Sequence, residues 1–413
     1  MPNTIVTPAM IAKEALMQLE NNLVMSNQVH REYKKEFTGG VGATVSIRRP
    51  VKFVTSDGAT RVNQDVEEKN TNIVVDQRKH VSWGFSTQDL TLSIEEYSER
   101  YIQPACVTLA QTMDKAGYNL YRNVWNSVGT PGTTPSTFAA LGDAAQRLDE
   151  MAVPSDRRTM VLNPAARYAV AGNQLTLDSV GSMGQSAYEA AKIGPIAKFG
   201  TFDSQNIAVH QVGVATGTPT VTGAGQAVTY ANAVGTNWSQ SLITGGWTVS
   251  IANILRAGDV ITMAGVFAVN PVPGEGATGK TVMPYLQQFT VLGDATSSAG
   301  GAATITISPP IITSGPHQTV SAAPAASAAI VVRGTGGVFY PQNIGFHRNA
   351  FALVTVPLEM PDGAAFKARE SYKGLSIRVV KDYDIDNDVD VIRLDILYGW
   401  KAIYPDLAAR LWG

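Results

Sequence analysis

Residues 274–281 read Gly-Glu-Gly-Ala-Thr-Gly-Lys-Thr, which satisfies the phosphate-loop pattern G-x-x-x-x-G-K-[ST] at every position. Taken at face value, the stretch makes the chain a parallel α/β nucleotide binder; taken as a hairpin tip, it makes the surrounding region all-β. The flanks decide between the two. A phosphate loop leaves a buried strand and opens a helix, whose first amides hold the anion. Upstream, Asn270-Pro271-Val272-Pro273 places two prolines where that strand must run. Downstream, Pro284 falls past the first turn of the required helix, where it removes a hydrogen bond and clashes with the preceding turn. The run Gln287-Gln288-Phe289-Thr290-Val291 reads as a strand. No Asp stands at the end of an apolar strand to hold magnesium, because Val391-Ile392-Arg393-Leu394-Asp395 is interrupted by arginine. A Gly-rich hairpin tip is therefore the better reading, with nucleotide binding through Gly274–Thr281 as its rival.

Working outward, residues 213–338 carry only six charged side chains, Arg256, Asp259, Glu275, Lys280, Asp294 and Arg333. The region is rich in Gly, Thr and Val. Alternating runs at Trp247–Ile251 and Ala303–Ile307 are separated by turn clusters, which predicts an all-β unit, a small barrel or sandwich. Before it, residues 8–29 predict an amphipathic helix with Ile11, Ala15, Leu16, Leu19 and Leu23 on one face. From about Gly39 to Phe85 the chain reads as an extended two-stranded arm with many charges and few core residues; such an arm buries little by itself, so it is expected to rest on another molecule or domain. Ser93 and Glu96 form a capping box ahead of a long helix with apolar residues from Ile94 to Val124, bent or restarted at Pro104. Residues 138–212 alternate: a helix at Ala139–Met151, a strand at Thr159–Leu162 and a helix capped by Asn163-Pro164. After the β unit the chain resumes near Phe339 and ends in a hairpin that turns near Asn387-Asp388. The β unit is thus inserted between two halves of one α+β body.

The whole chain has 413 residues with 32 basic and 34 acidic side chains, a net charge of −2. That balance argues against holding nucleic acid through a concentrated basic surface. The single Cys106 excludes an internal disulfide and sits in an apolar helical stretch, where a buried thiol is expected. The N-terminal residues lack a basic segment followed by an apolar block, and no segment is long enough in apolar residues to span a membrane. A cytoplasmic protein is expected.

Chemistry-bearing patterns are few. The run Asp382-Tyr383-Asp384-Ile385-Asp386-Asn387-Asp388 imitates a calcium loop, but Asn387 stands where glycine is needed and Arg393 where a bidentate glutamate is needed. His30, His80, His210, His317 and His347 share no ligand spacing, and Gly181-Ser182-Met183-Gly184 lacks the glycine a nucleophile elbow requires. The adjacent pairs Glu67-Glu68 and Glu95-Glu96 are explained by a charged arm and a helix start. No catalytic, metal or cofactor-binding residue is assigned, and an enzyme is not expected.

Three stretches carry a resemblance: VLNPAARYAVAGNQL (161–175), GPIAKFGTFDSQNIAVH (194–210) and FHRNAFALVTVPLEMP (346–361). Together with VITMAGVFAVNPVP and LQQFTVLGD inside the insertion, they are similar to the major capsid proteins of tailed bacteriophages, the phage P22 coat-protein group in particular. The resemblance implies an HK97-type capsid fold. It places an N-terminal arm at 1–36, an extended loop at 37–86, a spine helix at 87–135, and the first part of an A domain at 136–212. A telokin-like β-barrel comes next at 213–338, and the C-terminal A/P part at 339–413. It further implies self-association as pentamers and hexamers in the shell of a virion built in the bacterial cytoplasm. Implied partners are a scaffolding protein, a portal at one vertex and a decoration protein, with double-stranded DNA touched only weakly. Charges on the extended loop, Arg48, Arg49, Lys52, Arg61, Glu67, Glu68 and Lys69, are expected to set register between subunits. The rival with the same fold is an encapsulin-like compartment; the large insertion argues against it. The run SAAPAASAA (321–329) departs from the P22 pattern and leaves the barrel's strand count open.

Overall fold

A computed structural model describes residues 8–32, 44–49, 51–53, 55, 58–61, 63, 70–86, 101–177, 193–235, 237–272, 280–364, 366–372, 374–387 and 389–413. They fall into two compact units. One comprises Met1–Ile47, Asn72–Tyr118 and Phe351–Ile403; the other comprises Arg48–Thr71, Asn119–Ala350 and Tyr404–Gly413.

In the first unit, the helix Pro8–Asn22 buries Ile11, Ala15, Leu16 and Leu19, the stripe its sequence spacing predicts. A short helix comes next, Met25–Gln28, and it has an N-terminal cap that no local pattern announces. Asp114, from the helix Gln103–Tyr118, accepts hydrogen bonds from the amides of Val24 (2.6 Å), Met25 (3.2 Å) and Ser26 (3.0 Å). A carboxylate is a good acceptor for these helix-start amides, which otherwise have no partner within the helix. Pro104 stands at the second position of Gln103–Tyr118, directly after a π-helical pair at 101–102, where the helix restarts. The capping box at Ser93 and Glu96 lies outside the described residues. Cys106 is buried, and burial pushes its thiol pKa up to about 12.

The closing hairpin forms as its sequence predicts, Leu375–Asp384 pairing with Val389–Ala402 from Arg378↔Asp395 to Asp384↔Val389. Fourteen residues make Val389–Ala402 the longest strand, and both of its edges are used. Gln77–Ser86 pairs along one edge from Tyr398↔Gln77 to Val389↔Ser86. Phe351–Thr355 continues the other edge, from Thr355↔Tyr398 to Phe351↔Ala402. The arm expected to rest on another molecule or domain has its last strand against the closing hairpin of its own chain. Only Thr44–Arg48 and Asn70–Val74 form a separate two-stranded sheet, with Val45, Ile47, Thr71 and Ile73 buried in alternation. Gln77–Ser86, the C-terminal strand of the arm, is taken up by a sheet of its own chain. A long central strand exposes unpaired backbone groups along an edge unless something covers it.

In the second unit, a mixed sheet runs in the order Ser127–Val128, Ala408–Trp412, Phe339–His347, Arg158–Leu162, Gly200–Asp203, with Val209–Gln211 also paired to Phe339–His347. Arg158–Leu162 and Ala408–Trp412 are buried throughout. Leu141, Ala144 and Leu148 of the helix Phe138–Glu150 and Val170 of the helix Pro164–Leu177 pack into one core with Met160, Leu162, Phe199 and Leu411. Both helices start at side-chain caps, of which the sequence reading named only Asn163. Thr137 Oγ1 accepts from the Ala140 amide (3.3 Å), and Asn163 Oδ1 accepts from the Ala166 amide (3.0 Å). Thr137→Ala is expected to lower stability by about 1 kcal/mol, read as a reduced urea midpoint at unchanged slope.

The remaining sheet has six strands, in the order Ile330–Val332, Val260–Val269, Val282–Val291, Ala303–Ser308, Gln240–Trp247, Gly217–Val221. All neighbours are antiparallel. The two outer strands also meet: Thr220 bridges to Ala329, and the Val221 amide donates to the Ala328 carbonyl (3.0 Å). The sheet therefore closes into a barrel, which removes its edges. Leu242, Ile261, Met263, Phe289, Val291, Ile305 and Ile307 fill the interior. The predicted run Trp247–Ile251 is displaced: the strand is Gln240–Trp247, and Ser250 and Asn253 adopt left-handed backbone angles in a turn. Residues 274–279 of the phosphate-loop pattern lie outside the described residues, whereas the segment from Lys280 onward is described. There Val282–Val291 is an antiparallel strand, paired on both sides, where a phosphate loop needs a helix. The nucleotide-binding rival fails on that point. Among the described residues no helix is long and apolar enough to cross a membrane.

Candidate functional site

The loop residues expected to make subunit contacts divide into three groups. Arg48 ends its strand exposed, with its carbonyl accepting from Tyr404 Oη (3.4 Å). Arg49 is half-buried: its Nε donates to Thr71 Oγ1 (2.9 Å), and its guanidinium lies 5.0 Å from the centroid of the Trp238 ring. Lys52 lines a cavity of the second unit, and Arg61 is exposed. Glu67, Glu68 and Lys69 lie outside the described residues. Arg49 thus spends its charge within its own chain.

The hydrogen-bonded strand of the loop is pinned by a second cluster, in the first unit. Asp395 is fully buried; Arg378 Nη2 donates to it at 2.6 Å, Arg393 Nε at 2.8 Å, and Arg78 Nη2 stands 3.6 Å away. Burial pushes the Asp395 pKa up, but the hydrogen bonds from Arg378 and Arg393 together outweigh it and hold the group below the ordinary carboxylate value. The three arginines sit on Gln77–Ser86, Leu375–Asp384 and Val389–Ala402, so one carboxylate ties three strands. A shift of register by one residue would turn Asp395 into the apolar face, which makes the cluster a register lock. Arg78, half-exposed and farthest, contributes least.

A third cluster, in the second unit, looks like chemistry and is not. Tyr121 Oη lies 2.9 Å from His210 Nδ1, and His210 Nε2 lies 2.7 Å from Asp259 Oδ1. Burial holds the His210 pKa below its ordinary value against the opposing pull of Asp259, so the ring is neutral at pH 7. A neutral ring then donates from Nε2 to the carboxylate and accepts at Nδ1 from the Tyr121 hydroxyl. Asp259 is also bonded to the amides of Gly213 (3.1 Å) and Arg256 (2.7 Å). Next to them, Arg410 is wholly buried on the strand Ala408–Trp412, donating to the Gly258 carbonyl (2.8 Å) and facing the Tyr121 and Trp412 rings at 5.5 and 5.8 Å. Burial pulls its pKa down to about 10, so it stays charged. Tyr121, His210 and Asp259 are all buried, so the tyrosine hydroxyl cannot meet a substrate. The group instead joins the start of a barrel strand, Val260–Val269, to the mixed sheet.

Sequence reading missed this hub and the Asp114 cap. One signal was present. In a region with six charges, Asp259 stands immediately before the apolar run Val260–Val269, and a carboxylate there needs a reason. Arg333, another of the six, donates to the carbonyls of Ser127 (3.0 Å) and Gly129, and Asp294 accepts from the Ala257 amide (2.8 Å). The calcium-like run is a turn: Asp384 accepts from the Asp386 amide (3.1 Å) and from Asn387 Nδ2 (2.8 Å).

Comparison with known proteins gives the family. The family described as "P22 coat protein - gene protein 5" matches residues 3–413. The "Major capsid protein" of Acyrthosiphon pisum secondary endosymbiont phage 1 is 23% identical over 419 residues, covering 98% of this chain and 97% of that protein. Among solved structures, one from Mycobacterium phage Che8 aligns with a TM-score of 0.48 at 15% identity, over 94% of this chain and 90% of that one. The capsid of the cyanophage P-SCSP1u aligns with a TM-score of 0.45 at 11% identity, over 90% and 83%. With a match that runs from residue 3 to the final glycine, and with side-chain clusters that lock strands instead of reaching a substrate, the chain belongs to the P22 coat protein family, structural capsid proteins of phages and not enzymes.

Proposed function

We propose that copies of this protein assemble as pentamers and hexamers into the icosahedral shell that encloses the double-stranded DNA of a tailed phage. The family match across residues 3–413 carries this reading. In an HK97-type arrangement residues 1–36 serve as the N-terminal arm, 37–86 as the extended loop, 87–135 as the spine helix, and 136–212 with 339–413 as the A and P domains. The barrel within 213–338 is the telokin-like insertion. Arg48, Arg49, Lys52 and Arg61, together with Glu67, Glu68 and Lys69, set register between subunits, where each contact is weak and the closed shell multiplies it. Exposed apolar side chains such as Phe53 (55% exposed) and Ile385 (81%), at the tip of the closing hairpin, are surfaces that a neighbouring subunit covers. A near-neutral chain suits a wall that encloses DNA without gripping it. Assembly proceeds around a scaffolding protein, with a portal at one vertex and a decoration protein on the finished shell.

Expression alone and with a candidate scaffolding protein, then sedimentation and negative-stain electron microscopy, tests this. Closed shells, tubes or spirals are expected, with regular shells favoured by the scaffold. A small uniform species under both conditions would overturn the reading.

A further inference from the structure

The second unit contains a cavity of about 120 Å³ whose wall carries an excess of positive charge. Arg49 and Lys52 reach it from the loop segment, and Lys280 from just before the barrel strand Val282–Val291. Among the described residues that line it, Asp406 is the one carboxylate. An aromatic wall faces these cations: Tyr230 and His317 stack at 3.7 Å with an interplanar angle of 10°, and Trp238 meets both edge-on at 5.9 and 6.4 Å. Lys280 is only 9% exposed, its Nζ donating to the Gln318 carbonyl at 3.1 Å.

Gathering cations against an apolar wall is unfavourable, since low dielectric both raises their repulsion and strips their hydration. The cost is visible in the titrating groups. Burial and the charges of Lys52, Lys280 and Arg49 pull the His317 pKa down to about 4, and burial with Lys52 pulls Lys280 down to about 8. Such crowding is relieved by one anion, which accepts charge-assisted hydrogen bonds from several of these cations at once.

We propose that this cavity is a binding site for a phosphate-class oxyanion, held by Arg49, Lys52 and Lys280 and walled by Tyr230, Trp238 and His317. Lys280 is the lysine of the phosphate-loop pattern. It reaches this site from the start of a strand in a barrel, with side-chain cations in place of a helix's amides. Two sources share the chemistry: free inorganic phosphate and a phosphodiester of nucleic acid.

The full-chain protein, dialysed into chloride buffer at pH 7, is titrated with inorganic phosphate at constant ionic strength while melting temperature and tryptophan fluorescence are monitored. A saturable rise in melting temperature is expected. Its midpoint should weaken about tenfold in Lys280→Met and in the exposed-site variant Lys52→Gln, and stay unchanged in Lys79→Gln. In phosphate-free buffer Lys280→Met should melt close to the parent, because relief of repulsion from Lys52 offsets the lost hydrogen bond to the Gln318 carbonyl. A short oligothymidylate that competes with phosphate would assign the site to a nucleic-acid phosphodiester; one without effect, beside saturable phosphate binding, would assign it to the free ion. A linear rise without saturation, an equal rise with acetate, or identical curves for parent, Lys280→Met and Lys52→Gln would overturn the proposal.

Discussion

Asp259→Ala is expected to destabilise the protein by about 3–5 kcal/mol, the range for removing one partner of a buried charged network. Three donors lose their acceptor together: His210 Nε2 and the amides of Gly213 and Arg256. Each buried donor left unpaired costs about 1–3 kcal/mol. Arg410 meanwhile loses the nearby negative charge that favours its protonated state. Urea unfolding of the unassembled subunit checks the size of the effect. A pH series checks its cause. In the parent the folded-state pKa of His210 is already below its unfolded value, so the unfolded chain takes up a proton first and stability falls as pH drops from about 6.5. Removing Asp259 takes away the interaction that raises that pKa. The folded value falls further, and the acid-side loss of stability should extend to lower pH than in the parent. A variant with parental stability and an unchanged acid profile would show that the hub is dispensable.

Gly399→Ala should produce the second large effect, a loss near the upper end of the roughly 1–3 kcal/mol typical of overpacking. A β-carbon at this position would meet the carbonyl oxygen of Val74, with the Val74 carbonyl carbon and the Val75 Cα each at 3.0 Å. Those atoms are backbone and cannot rotate aside. Ordinarily glycine to alanine gains about 0.4–1 kcal/mol by restricting the unfolded chain; here the clash wins. Gly172, in the helix Pro164–Leu177, supplies the internal control, because nothing stands within 4 Å of its would-be β-carbon. Gly172→Ala should therefore stabilise by roughly 0.5–1 kcal/mol. Equal urea midpoints for the two variants would contradict the close packing of Gly399 on Val74.

Much of the architecture was legible because its signals are local. The stripe Ile11–Ala15–Leu19, the cap Asn163, the closing hairpin and the alternation of Ala303–Ile307 each depend on a repeat or on a side chain meeting a backbone a few residues away. The rejection of the phosphate loop was local too, resting on Pro284 and the strand-like residues after it. What the sequence could not express was pairing at a distance. Gln77–Ser86 carries the same alternation whether it stands free in an arm or lies against Val389–Ala402; only the unfilled edge of a long strand decides between them. The ionic clusters have the same origin. His210 and Asp259 are 49 residues apart, and Asp114 caps a helix 88 residues earlier; the neighbours of Asp259 mark it as unusual but do not name its partner. Arg49 and Lys52 were recognised as charges that matter, but their shared wall with Lys280 and His317 exists only once the loop segment and the barrel strands meet in one unit. By itself, then, the sequence determined most of the helices and strands, the mainly β character of the inserted region, which also holds the short helix Tyr230–Gly235, and the family. The tertiary structure alone decided which strand covers which edge and which charges face one another, because those choices are settled by desolvation and by hydrogen bonds between residues distant along the chain.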